Sequence, residues 1–166
     1  GQAAFAVLAI MAIGNAGGRV IAGILSDKIG RSATLMIMLL FQALLMFACI
    51  PVMGSASASA FALVMLATLI GFNYGTNLSL FPSLTKDFWG LKNFGINYGI
   101  VFTAWGVGGF VMSRISQMLK AGSGSFSSSF IFAGALLVIG AGLTLTLRSA
   151  EKSNTEVEIN GLEEAA

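Results

Sequence analysis

Charged residues fall along this chain in clusters, and the uncharged stretches between the clusters are long enough to cross a bilayer. Arg31 and Lys86 bound the longest of these stretches. One spanning helix needs roughly 20 residues, so this stretch must hold two spans with a break between them. The break falls at Pro51-Val-Met-Gly-Ser-Ala-Ser-Ala-Ser59, where a proline and small polar residues interrupt the apolar run and are expected to end the helix. Span two is then about Ser32 to Ile50, and span three about Ala60 to Phe81, closed by Pro82.

Span one covers about residues 1–25 and ends in the turn Gly23-Ile-Leu-Ser-Asp27-Lys28-Ile-Gly30-Arg31. Lys86, Asp87 and Lys92 mark a further aqueous loop, SLTKDFWGLKN. Gly95 to Arg114 is span four, its uncharged part about 28 Å of helix. Lys120 and a Gly/Ser run form the next turn, and Phe126 to Leu147 is span five. Residues 1–148 are thus a transmembrane part-domain. Residues 149–166, with Glu151, Glu156, Glu158, Glu163 and Glu164, are expected to be a polar, acidic, disordered tail.

Composition agrees with an all-α polytopic membrane protein. Hydrophobic residues make up 56% of the chain and charged residues 10%, against about 25% charged for a soluble domain, and the mean hydropathy is +0.87. The formal net charge of +2 is scattered rather than striped, which argues against a nucleic-acid partner. Cys49 is the only cysteine and histidine is absent, so neither an intrachain disulfide nor a thiolate metal site is expected. No carboxylate lies inside any span and no nucleophile has a base beside it, so neither an enzyme nor a cofactor is expected.

Alternating spans put Lys28, Arg31, Lys86, Lys92, Arg148 and Lys152 on one side of the membrane, and Arg114 and Lys120 on the other. The positive-inside bias makes the first side, with the acidic tail, cytoplasmic, and a bacterial inner membrane is the expected location. The first apolar run opens without a flanking polar segment, so the chain is expected to be a fragment whose missing part lies N-terminal.

Arg19 breaks the apolar pattern of span one. It lies about 12 Å before Asp27 along a helix, near mid-depth if Asp27 marks one edge of the hydrocarbon. A cation there is costly and usually marks a substrate pathway. Asn15 is one turn before it. Asn73 and Asn77 share a face of span three and are candidates to bind the same substrate or Arg19. Trp105 lies about 15 Å into span four, away from the headgroup belt where tryptophan collects, and is a candidate cavity wall. Tyr98, nearer the interface, is a further candidate. Gly71-x-x-x-Gly75 and Gly95-x-x-x-Gly99 allow close approach of neighbouring helices.

The turn Gly23-x-x-x-Asp27-Lys28-x-Gly30-Arg31 resembles the loop signature GxxxD[RK]xGR of the major facilitator superfamily. Span one, the turn, the four spans that follow it and the polar tail together resemble helices eight to twelve of a twelve-helix transporter, most of its C-terminal six-helix half. The segments Gly71 to Pro82 and Gly90 to Gly109 look like helices ten and eleven of the oxalate:formate antiporter family and its monocarboxylate-transporting relatives. The resemblance implies a secondary transporter working by alternating access. It implies that Gly23, Asp27, Lys28, Gly30 and Arg31 latch two halves on the cytoplasmic side, and that Arg19 clamps a carboxylate with its planar fork. Oxalate-carrying members also use a lysine in the middle of helix eleven, where this chain reads Phe102-Thr-Ala-Trp105-Gly106. One fixed cation suits a monocarboxylate such as formate, lactate or pyruvate better than a dianion. The expected partners are a small carboxylate, the lipid bilayer and the N-terminal half of the same protein. The alternative is a non-transporting sensor or scaffold that retains the fold.

Overall fold

Five helices follow one another in the computed structural model: α1 (Gln2–Ile29), α2 (Arg31–Gly54), α3 (Ala60–Trp89), α4 (Phe94–Ser123) and α5 (Ser127–Glu164). The structure describes the backbone of residues 2–55 and 59–164, and the side chains of residues 8–55 and 59–147. All five helices are long and apolar enough to cross a membrane. The fold is that of an all-α polytopic membrane protein.

Each helix matches the span expected of it to within a residue at one end or both, and runs past it at one end or both. Pro51 and Pro82 do not end their helices: α2 continues to Gly54 and α3 to Trp89. A proline removes one N–H and releases one carbonyl, a loss that a membrane helix tolerates when nearby hydroxyls and neighbouring helices serve the freed groups. Around Pro82, which releases the Leu78 carbonyl, the Ser83 and Thr85 hydroxyls donate back to the neighbouring Ser79 and Phe81 carbonyls, at 2.9 and 2.8 Å, and so keep the adjoining turns polar-satisfied. The centre of the expected break before span three, residues 56–58, lies outside the described residues. Lys86 and Asp87 belong to the last turns of α3, so the loop before α4 shortens to Gly90–Asn93. The backbone of α5 continues beyond Leu147 to Glu164, through the acidic stretch expected to be disordered. Alanine, glutamate and lysine there are good helix formers, and a helix already nucleated by its apolar part extends without a second nucleation cost.

Gly30 alone separates α1 from α2. Its φ of 88° is open to glycine and strained for other residues, and this lets the chain reverse within one residue. Below the turn, Ala22, Leu35, Met38, Leu80 and Leu84 form a core joining α1, α2 and α3, with Leu25, Leu39, Phe88 and Leu147 packed against it.

The closest helix pair is α1 with α3, which run parallel. A Cβ on Gly18 would fall inside the contact distance of the Phe72 carbonyl, and one on Gly75 inside that of the Asn15 carbonyl. On Gly14 it would come to 3.0 Å from the Thr68 carbonyl, and on Gly71 to 3.3 Å from that of Met11. Gly14-x-x-x-Gly18 therefore lies directly on Gly71-x-x-x-Gly75, the small-residue seam by which membrane helices gain dispersion contact where lipid supplies no hydrophobic drive. Gly95-x-x-x-Gly99 makes no such approach, since a Cβ on either glycine meets nothing within 4 Å. In α4 no side chain is buried among the described residues.

Candidate functional site

Arg19 lies one turn beyond Asn15, and its Nε donates to Asn15 Oδ1 at 3.2 Å. The guanidinium is exposed, and among the described residues it makes no ion pair with a carboxylate. Asn15 sets its depth, because the Asn15 carbonyl lies against Gly75 of α3. The seam pairs Asn15 with Gly75 and Gly18 with Phe72, so Arg19 is about level with Thr76.

The direction of Arg19 follows from the glycine seam. At about 100° per residue, Arg19 is rotated about 90° from the α1 face that meets α3, whose residues are Met11, Gly14, Asn15 and Gly18. On α3, Tyr74 and Leu78 are rotated in the opposite sense from the face formed by Thr68, Gly71, Phe72 and Gly75. On two parallel neighbours, opposite rotations open to the same side of their common plane. Arg19, Tyr74 and Leu78 therefore share a side, and α2 lies on the other.

On that side is a groove of about 520 Å³ between α3 and α4, with Leu39 of α2 at its back. Tyr74, Asn77, Leu78 and Phe81 line one wall and Tyr98, Phe102 and Trp105 the other. The α4 wall is a ladder of rings at helical spacing. Phe94 stacks on Tyr98 at 5.7 Å between centroids, Tyr98 meets Phe102 at 5.7 Å, and Phe102 stacks on Trp105 at 5.2 Å. Tyr74 closes it from α3, 6.4 Å from Trp105. Trp105 is 56% exposed. Asn77 donates through Nδ2 to the Asn73 carbonyl at 3.2 Å, while its Oδ1 is buried and unpartnered among the described residues.

Three of the expected binding residues, Asn77, Tyr98 and Trp105, thus meet in one groove, and Arg19 opens to the same side. Asn73 does not join them. It is fully buried and turned toward α2, where Nδ2 donates to the Met38 carbonyl and to Gln42 Oε1, each at 2.8 Å. Its Oδ1 accepts from Thr76 Oγ1 at 2.8 Å. Every polar atom of that side chain is engaged, and its two donors tie α3 to α2, the role of interhelical glue. Tyr74 and Phe102 complete the wall. Their signal in the sequence is the spacing of aromatic residues at 94, 98, 102 and 105.

The turn signature forms a second polar centre. Arg31 Nε pairs with the carboxylate of Asp87 at the end of α3, and Nη1 reaches Ser26 Oγ at 3.5 Å. Asp27 is 72% exposed and 3.9 Å from Arg31 Nη1. Lys28 is exposed, and Gly23 has open space around it. The partner that matters most here, Asp87, reads in the sequence only as a loop marker, because its pairing depends on where α3 ends.

The family model described as Major Facilitator Superfamily matches residues 1–163. The chain is 37% identical over 103 residues to an uncharacterized MFS-type transporter, YhjX, of Escherichia coli, covering 60% of this chain and 24% of that protein. It is 32% identical over 133 residues to the MFS transporter asaE of Aspergillus flavus, covering 79% of this chain and 29% of that one. It is 33% identical over 142 residues to monocarboxylate transporter 13 of Rattus norvegicus, covering 85% and 32% respectively. The chain thus spans about a quarter to a third of the length of these relatives. No solved structure matches it significantly.

Proposed function

The chain belongs to the major facilitator superfamily, and we propose that it forms most of the C-terminal six-helix half of a secondary active transporter of small organic monocarboxylates. Alternating access would move the anion between a site at mid-depth and either face, with the other half supplying the opposite wall. The observation that carries this reading is Arg19, an arginine within a membrane span that faces the groove side and has no carboxylate partner among the described residues. Its Nε is held by Asn15, which leaves the two terminal nitrogens to meet a carboxylate in the bidentate geometry that guanidinium favours.

The naming of one relative as a monocarboxylate transporter supports the same substrate class. The uncharged middle of α4 favours one carboxylate over two, which places formate, lactate and pyruvate ahead of oxalate. Arg31 and Asp87 would act at the cytoplasmic end, beside the acidic tail, fixing the turn against α3 while the halves rock.

Uptake of labelled carboxylates by liposomes containing the full-length protein tests the reading. Arg19→Gln is expected to abolish uptake while leaving insertion intact. Undiminished uptake by that variant would overturn the assignment. Absence of uptake of any carboxylate by the unaltered protein would favour a sensor or scaffold instead.

A further inference from the structure

Resting on the monocarboxylate reading above, we infer that the preferred substrate carries a broad, flat apolar body, an aryl or arylalkyl group, and that the Tyr74, Phe102 and Trp105 wall selects it. Formate, a carboxylate with nothing attached, gives such a wall nothing to hold. The groove of about 520 Å³ falls in the range of about 300–1,000 Å³ typical of pockets for much larger ligands. Its lining is apolar and aromatic apart from Asn77 and the two tyrosine hydroxyls.

The rings are arranged to receive another ring. Phe102 and Trp105 are offset-stacked, inclined by 22° at 5.2 Å, so each covers part of the other's inner face and the pair acts as one thick aromatic wall. Tyr74 is tilted 49° to Trp105 at 6.4 Å, forming the second side of a corner. An aryl group in that corner can stack on one side and meet an edge on the other, the two geometries that ring quadrupoles favour.

Polar groups are sparse and placed for orientation. Arg19, about level with Thr76, opens to the groove side, so a carboxylate held there can extend its body past Tyr74 toward the α4 wall. Asn77 is the one amide on the α3 wall; its Oδ1 lies buried behind the groove surface and unpartnered among the described residues.

The test uses the full-length protein in liposomes, with labelled acetate and labelled benzoate as probes and phenylpyruvate as competitor. Benzoate uptake is expected to half-saturate at a concentration about tenfold lower than acetate uptake, with phenylpyruvate competing against both. Trp105→Leu should raise the half-saturation concentration for benzoate far more than that for acetate and so remove most of that preference, and Trp105→Phe should keep it. Equal handling of benzoate and acetate, with acetate uptake still dependent on Arg19, would overturn the inference and leave the monocarboxylate reading standing. Loss of thermal stability in Trp105→Leu with unchanged preference would also overturn it, because the groove would then be a seat for a helix from elsewhere in the protein. If neither acid moves and Arg19→Gln changes nothing, both readings fall.

Discussion

Arg31 reaches across from the first residue of α2 to Asp87 near the end of α3, pairing with a carboxylate 56 positions further along the chain. Asp27 is far closer in sequence, yet it is 3.9 Å away and largely in solvent. Exposed ion pairs one helical turn apart contribute about 0.3–0.5 kcal/mol, whereas a hydrogen bond to a charged group contributes about 1.5–3 kcal/mol. A double-mutant cycle on Arg31→Gln and Asp87→Asn should therefore give a larger coupling, about 1 kcal/mol, than a cycle on Arg31→Gln and Asp27→Asn. Thermal unfolding in detergent measures both, and equal couplings would show that the pair with Asp87 is not what holds the turn.

The glycine seam between α1 and α3 predicts an asymmetry among glycines of the same helix. Gly18→Ala and Gly75→Ala each push a methyl into a backbone carbonyl that cannot swing aside. Overpacking of this kind costs about 1–3 kcal/mol. Gly17→Ala adjoins Gly18 but meets nothing within 4 Å, and it should be neutral. Melting temperatures of the three variants decide the matter, and a neutral Gly18→Ala would mean that α1 and α3 are not in close contact there.

The five spans are legible in the sequence because their signal is physical and local: a charge in hydrocarbon is costly, so the scarcity of charges over about 20 residues reveals a crossing, and Arg19 stands out as the exception. Helix ends are less legible. Pro51 and Pro82 read as stops by rules that assume water is available to reward an unravelled backbone. Inside hydrocarbon, unravelling leaves more groups unsatisfied than the proline does, and the helix continues. The candidate site is legible as a set of residue types but not as a partition. Asn73 and Asn77 lie one turn apart on one face, and periodicity alone cannot say that Asn73 is bound to α2 while Asn77 turns to the groove. The ring ladder of α4 is periodic in the sequence, but only the approach of Tyr74 makes a wall of it.

That partition can be checked. Asn73→Ala removes the donor to Met38 and Gln42 and should lower stability by about 0.6–1.7 kcal/mol, between the average and the largest value found for hydrogen bonds between membrane helices. Its apparent affinity for substrate should stay unchanged. Asn77→Ala removes a weaker 3.2 Å bond and an orphaned acceptor, so it should leave stability nearly unchanged and alter affinity. Measuring unfolding and uptake side by side separates the two roles, and the reverse pattern would exchange them.

Arg19 allows a sharper test than its removal. Arg19→Lys keeps a cation at the same depth but replaces a planar fork by a point charge, and it gives up the Nε bond to Asn15. If the positive charge alone attracts the anion, Arg19→Lys should transport with nearly unaltered half-saturation. If the fork holds the carboxylate through two parallel bonds, losing one of them should raise the half-saturation concentration about tenfold, the equivalent of about 1.4 kcal/mol. The expected result is the second, with maximal uptake falling less than affinity. Asn15→Leu supplies the control, since it frees Nε without touching the terminal nitrogens. It should weaken uptake less than Arg19→Lys, and a larger loss would mean that Asn15 itself binds the substrate.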